Sequence, residues 1–169
     1  MERLLAAILF LVLTLCGCVA CSNTPTFSTE GMSPAEVVQT HLETNDVETF
    51  LLTMTEEVRD AISNTEDFNS DLNYGVISFK VLDIYEVTVD DEPDLDERKE
   101  RILESEWAEG LSLTADNICF VYVKTYGEYD TTKIPVESGD HENVFLLVRN
   151  QQNSSWLIQD WGLSLLSHH

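Results

Sequence analysis

An α+β fold is the class this sequence predicts, and three observations predict it. Apolar residues recur at helical spacing through residues 47–62, one long run of strand-forming residues follows Gly75, and three further strand-like runs close the chain. The last two of these are joined by residues 151–154 alone, a length that suits a hairpin. Helices first, then a strand, a helix and an antiparallel meander is the order of an α+β domain, not of alternating βαβ units.

Each element has a local cause. Residues 4–15 (LLAAILFLVLTL) are apolar except for Thr14, the length of the apolar core of an export signal. Residues 19–32 (VACSNTPTFSTEGM) are rich in Ser, Thr, Asn, Pro and Gly and read as a flexible tether. At Ser33-Pro34-Ala35-Glu36 folding begins: Ser33 caps a helix, Pro34 fits its first position and Glu36 completes a capping box. Val37, Val38, His41 and Leu42 share one face of that helix, and Asn45-Asp46 interrupts it and can cap the next. Val47, Phe50, Leu51, Met54, Val58, Ala61 and Ile62 then keep i, i+3, i+4 spacing. This pattern fits one helix or two broken near residues 53–55. A polar loop over 63–75 ends it.

Gly75 opens a strand predicted over 76–89. Ile77, Phe79 and Val81 alternate, Leu82 and Ile84 take the opposite parity, and Val87 and Val89 return. A bulge at Val81-Leu82 or a sheet covered on both faces accounts for the switch. Pro93 is placed to start a helix running to about Glu109, with Leu95, Ile102, Leu103 and Trp107 on its apolar face. On it, Asp94 with Arg98 and Glu97 with Arg101 are supportive i, i+4 pairs. The closing strands are expected at about 117–126, 144–150 and 155–161, with 127–143 a longer excursion.

The charge limits the partners. Thirty-one acidic against 9 basic side chains give −22, and a polyanion repels phosphate backbones, so nucleic-acid binding is excluded as a working role. Its acidic surface is most simply a solubility device, although a basic protein partner can use it at short range.

Leu15-Cys16-Gly17-Cys18, directly behind the apolar run, resembles a bacterial lipobox: a branched apolar residue, two small ones, then cysteine. The resemblance implies that residues 1–17 are removed and that Cys18 carries a diacylglyceryl thioether, leaving a lipidated tether over 18–32. Cys18-Val19-Ala20-Cys21 is a poorer second register. Glu2 offsets Arg3, a departure from the basic start of such signals. Retention as a membrane helix is the alternative, since residues 4–21 are uncharged and reach the lower spanning length, but Gly17 and three cysteines are poor uses of a span. Either way the domain is membrane-tethered and extracytoplasmic. Two acyl chains, at about 0.8 kcal/mol per buried methylene, hold it there. Losing residues 1–17 removes only Glu2 and Arg3 among charged residues, so the exported part keeps its −22. A Cys21–Cys119 disulfide is one arrangement; Cys119, alternating with Val121 and Val123, reads rather as a free buried thiol.

The segments 33–62 and 118–162 resemble the nuclear transport factor 2-like superfamily. That likeness implies a cone, in which a curved antiparallel sheet wraps around amino-terminal helices, over residues 33–163 with 164–169 as a tail. Glu137-Ser138-Gly139, Phe145-Leu146-Leu147-Val148-Arg149 and Trp156-Leu157-Ile158-Gln159-Asp160-Trp161-Gly162 look, more narrowly, like small uncharacterised lipoproteins of Gram-positive bacteria. Some relatives in the superfamily are cyclases or dehydratases that pair a cavity histidine with a carboxylate. On that analogy His41 and Asp83 are the candidate catalytic pair, and the competing reading is a hydrogen-bonded core histidine beside a solvent-facing aspartate.

Other chemistry is poorly supported. In the acidic run 90–97 the sixth and twelfth places of a calcium loop fall on Leu95 and Arg101, so that pattern fails. For zinc only His41, His141, His168 and His169 are on offer, with no Cys-x-x-Cys in the folded part; neither a metal nor a cofactor is expected. Tyr122, Tyr126, Tyr129 and Trp161 cluster late in the chain. Tyr122, Tyr126 and Trp161 are candidates to line the open end of the cone and take a small apolar ligand, against the plainer reading of ordinary sheet aromatics. The expected role is a membrane-anchored module that binds a ligand or a protein, with the cavity enzyme or an envelope signalling module as alternatives.

Overall fold

The computed structural model describes residues 27–65, 70–109, 111–150 and 154–163. The signal at 1–17, the lipobox residues Leu15, Cys16 and Gly17, Cys18 with the tether as far as residue 26, and the tail 164–169 lie outside the described residues.

Three short helices come first. Helix α1 (Pro34–Glu43) starts with the full capping box: Glu36 N–H donates to Ser33 Oγ at 3.3 Å and Ser33 N–H to Glu36 Oε2 at 2.7 Å. Helix α2 (Val47–Leu52) is capped by Asp46, whose carboxylate accepts from Thr49 N–H at 2.9 Å and from Thr49 Oγ1 at 2.7 Å. Helix α3 (Glu56–Ser63) follows after a break at Thr53–Thr55. That break has a tertiary cause. Ile158 N–H donates to Thr53 C=O and Thr55 N–H to Ile158 C=O, both at 2.9 Å, so the linker is paired as a short parallel bridge with the last strand. Phe50, Met54, Val58 and Ile62 still face one core across the break, while Ala61, placed on the same stripe by its spacing, is exposed.

Strand β1 (Val76–Glu86) begins after Gly75, whose positive φ of 78° and contact with Ile134 leave no room for a side chain. Its register against the next strand slips between Val81 and Asp83, which makes Leu82 the bulge. The strand ends three residues before the predicted limit, although Val87 N–H still donates to Phe120 C=O at 2.8 Å. Helix α4 (Leu95–Leu103) is shorter than the predicted 93–109, and Trp107 sits instead in a separate 3₁₀ turn, Glu106–Ala108. Of the two helical ion pairs, Glu97 and Arg101 meet at 3.2 Å.

Strands β2 (Ile118–Tyr129), β3 (Gly139–Val148) and β4 (Leu157–Leu163) complete a four-stranded antiparallel sheet in the order β1-β2-β3-β4. Much of the expected excursion over 127–143 is therefore paired, down to Gly127 opposite Gly139. Both faces of the sheet are covered. On one, Val121, Val123, Phe145, Leu147 and Ile158 pack with Val37, Val38 and Met54 of the first helices; on the other, Ile118, Phe120, Val144, Leu146 and Val148 pack with Leu95 and Val87. The parity switch in β1 thus reflects both a bulge and two-sided burial. Fully burying a side chain of this size stabilises by about 1.5–3 kcal/mol, so these two clusters hold the domain together.

Candidate functional site

His41 lies inside the helical side of the sheet and is buried. Its ring stacks on Phe50 at 4.3 Å between centroids and stands edge-on to Phe145 at 6.0 Å, with Trp161 at 6.5 Å. Its Nδ1 is 2.8 Å from Thr53 Oγ1, and Thr53 gives its own hydroxyl proton to Phe50 C=O at 2.7 Å. A hydroxyl has one proton, so Thr53 must accept from His41 and Nδ1 must carry the hydrogen. Burial pushes this imidazole down to about 4, only partly opposed by the Phe50 carbonyl, and the ring is neutral at ordinary pH.

Asp83 is on the opposite face of the sheet. Ile84, beside it, packs into the helical core opposite Val123, whereas Asp83 is opposite Lys124 and exposed, its Oδ1 accepting from Ile84 N–H at 3.0 Å. The bulge at Leu82 sets this direction. The structure therefore does not bring the sequence-derived pair together, and a neutral histidine held by a threonine and an aromatic stack lacks the carboxylate partner that proton transfer was expected to use.

The three aromatic candidates are also divided. Tyr122 packs against Tyr85 with ring centroids 4.9 Å apart and tilted by 31° on the α4 side, its hydroxyl pushed up to about 12 by burial and by its hydrogen bond to Glu142. Tyr126 is exposed on that same face, between Lys80 and Asp140. Trp161 is on the helical side near His41, 43% exposed. They do not line a common pocket. Around the tyrosines, Lys124 bridges Asp140 at 3.2 Å and Glu142 at 3.6 Å, an exposed pair set worth little on its own. Cys119 is a free, half-buried thiol that burial raises to about 12, far from the thiolate a nucleophile needs.

A cavity of about 710 Å³ opens at the β3–β4 hairpin end, away from every candidate residue of the sequence. Its walls include Thr55, Glu56, Glu57 and Asp60 from the start of α3, Arg149 just past the end of β3, and Leu157 at the start of β4. Arg149 lies 4.3 Å over the Trp156 ring, and one terminal nitrogen donates to Asp116 C=O at 3.3 Å. Its Nε and the hydroxyl of Thr55 are buried and have no hydrogen-bond partner among the described residues. No local motif announces this place, because its polar groups come from residues nearly a hundred positions apart.

Residues 36–162 match a domain of unknown function, DUF4829. The chain belongs to the DUF4829 family. The DUF4829 span runs from the capping box of α1 to the end of β4, so it takes in both cores, His41 and the hairpin-end cavity. Neither the curated proteins nor the solved structures offer a match. Among the described residues, no helix is long and apolar enough to cross a membrane, and no group of three or more His, Cys, Asp or Glu is placed to hold a metal ion. The acidic run after β1 has a structural use: Asp91 accepts from Thr88 N–H at 2.9 Å and Oγ1 at 2.7 Å and closes the turn before α4.

Proposed function

We propose that this DUF4829 chain is an extracytoplasmic lipoprotein, anchored through Cys18, whose domain binds a ligand or protein partner. The observation that carries the anchor is Leu15-Cys16-Gly17-Cys18 directly behind a 12-residue apolar run, followed by a polar tether. Helices leading into an antiparallel meander support the finer kinship with nuclear transport factor 2-like cones. Binding is favoured over catalysis by the contrast between two places. The histidine is enclosed by aromatic rings and its Nδ1–H is taken by Thr53, while an open cavity of about 710 Å³ lies at the hairpin end.

Intact-mass analysis of protein extracted from membranes tests the anchor. The expected product begins at Cys18 and carries two or three acyl chains, and Cys18→Ala moves the chain from the membrane to the soluble fraction. A native product that still begins at Met1 and fractionates with cytosol refutes the proposal.

A further inference from the structure

We infer that the open edge of β1 pairs antiparallel with β1 of a second copy of this chain, with Lys80 of each copy against Asp83 of the other; this goes beyond the anchor and the binding role and depends on neither. The edge is free. Strand β1 is the end strand of the sheet, 11 residues long, and pairs with β2 alone among the described strands. Asp130 N–H donates to Gly75 C=O at one end of that ladder and Val87 N–H to Phe120 C=O at the other, both at 2.8 Å. Antiparallel alternation followed inward from either end turns the backbone groups of Phe79, Val81 and Ile84 away from β2. Among the described residues no strand takes them, and Ile84 N–H is held by Asp83 Oδ1 at 3.0 Å. Such a row is a template for another strand.

The side chains on this edge favour cover. Ile77 is 68% exposed, Leu82 44% and Phe79 37%, and the first two stand where the register slips. Bulges and charges on an edge commonly keep other strands off. Bare isoleucine, leucine and phenylalanine do the reverse, because covering them removes apolar surface from water.

The charge and face pattern names the occupant. In an antiparallel pair, directly opposite residues share a face. Phe79 and Ile84, opposite Gly127 and Val123, are on the helical side; Lys80 and Asp83, opposite Tyr126 and Lys124, are on the other. With a two-fold axis beside Val81 and Leu82, Lys80 of one copy meets Asp83 of the other and Phe79 meets Ile84. Each contact is made twice, with its faces matched. The bulge is matched too, since Val81-Leu82 of one strand stands against Leu82-Val81 of the other. Neither Lys80 nor Asp83 has an ion-pair partner among the described residues, and Lys80 is one of 9 basic side chains against 31 acidic ones. Repulsion between two copies at −22 each fades beyond about 8 Å at physiological salt, whereas the paired charges are in contact. A strand of unrelated sequence has no reason to match charge, face and bulge together.

Self-capture of the full-length protein tests this. Two tagged forms are mixed at about 100 μM each in detergent and about 150 mM sodium chloride, with micelles in excess over chains; one form is captured and the other measured. The natural chain is expected to capture itself. Lys80→Asp, which sets two carboxylates face to face, and Asp83→Lys, which sets two ammonium groups face to face, should each capture itself about tenfold less or worse. Mixed with each other, the two single variants should recover capture, and so should the double variant Lys80→Asp/Asp83→Lys with itself. Both positions are exposed, so melting temperatures should hardly move. On the natural chain a water-soluble carbodiimide should condense the Lys80 amine with the Asp83 carboxylate of the other copy, with loss of one water, to an amide-linked dimer. Lys80→Arg should keep capture and lose that product. No self-capture by the natural chain overturns the inference, whether or not the edge captures a strand of another protein. Undiminished capture by the single variants, no recovery in their mixture, or a dimer cross-linked at other residues overturns it as well.

Discussion

A single histidine shows how burial turns a reactive side chain into a structural one. His41 donates through Nδ1 to Thr53 and is held down to about 4 by loss of water, against an ordinary value near 6.5. The folded state therefore resists the proton that the unfolded chain accepts. Stability from this group is complete above about pH 6.5, falls as pH drops toward 4, and levels off below that, a loss of about 3 kcal/mol at most. Urea unfolding across that window should show the slope in the natural chain and not in His41→Phe, in which the stacking on Phe50 is kept and the titration is gone. Equal slopes in the two proteins would show that the histidine is not the source. Sequence periodicity alone identified His41 as inward-facing, because α1 is short and its stripe is local. What His41 touches was not legible, since Thr53 caps the far end of the next helix and Trp161 is on the last strand.

Elements were readable where their determinants are close in sequence. The capping box at Ser33 and Glu36 and the Asp46 cap lie within three residues of the groups they satisfy. The sequence does not decide the break between α2 and α3, because its cause, Ile158, is about a hundred residues away. The extension of β2 to Tyr129 and of β3 back to Gly139 has no sequence signal for a different reason: Gly127, Glu128, Gly139, Asp140 and Glu142 are glycine or polar, so no apolar alternation marks them. The bulge at Leu82 was legible as a change of parity, and it supports a deletion test. With Leu82 removed, Val81 and Asp83 become neighbours and the ladder opposite Thr125 and Lys124 becomes regular, with Ile84 still inward. Because Leu82 is 44% exposed, its deletion should cost about 1 kcal/mol or less in urea unfolding. A loss several times larger would mean that the bulge itself sets the curvature on which the cores depend.

At the scale of the whole molecule, two cores share one sheet. Strand β2 supplies Phe120 to one and Val121 to the other, so neither can come apart while the other stays intact. Against this cohesion stands a net charge of −22. Self-repulsion of that size destabilises the compact state and is screened within about 10 Å at 0.1 M salt. Raising sodium chloride from about 10 to 150 mM should therefore raise the melting temperature by several degrees, with a calorimetric scan as the check; a flat or falling response would mean that ion pairs outweigh repulsion. The α+β class was visible from element order. The hairpin-end cavity was not, because residues of its walls, such as Thr55 and Arg149, are nearly a hundred positions apart in the chain.

The clasp between Thr53–Thr55 and Ile158 also fixes when this domain can close. A chain made from its amino terminus presents α2 and α3 early, but the residue that joins them to the sheet is added about a hundred positions later. Until Ile158 emerges, Met54 and its neighbours have no β4 to dock on. Completion of the interior therefore follows the making of residues 157–163 and cannot precede it.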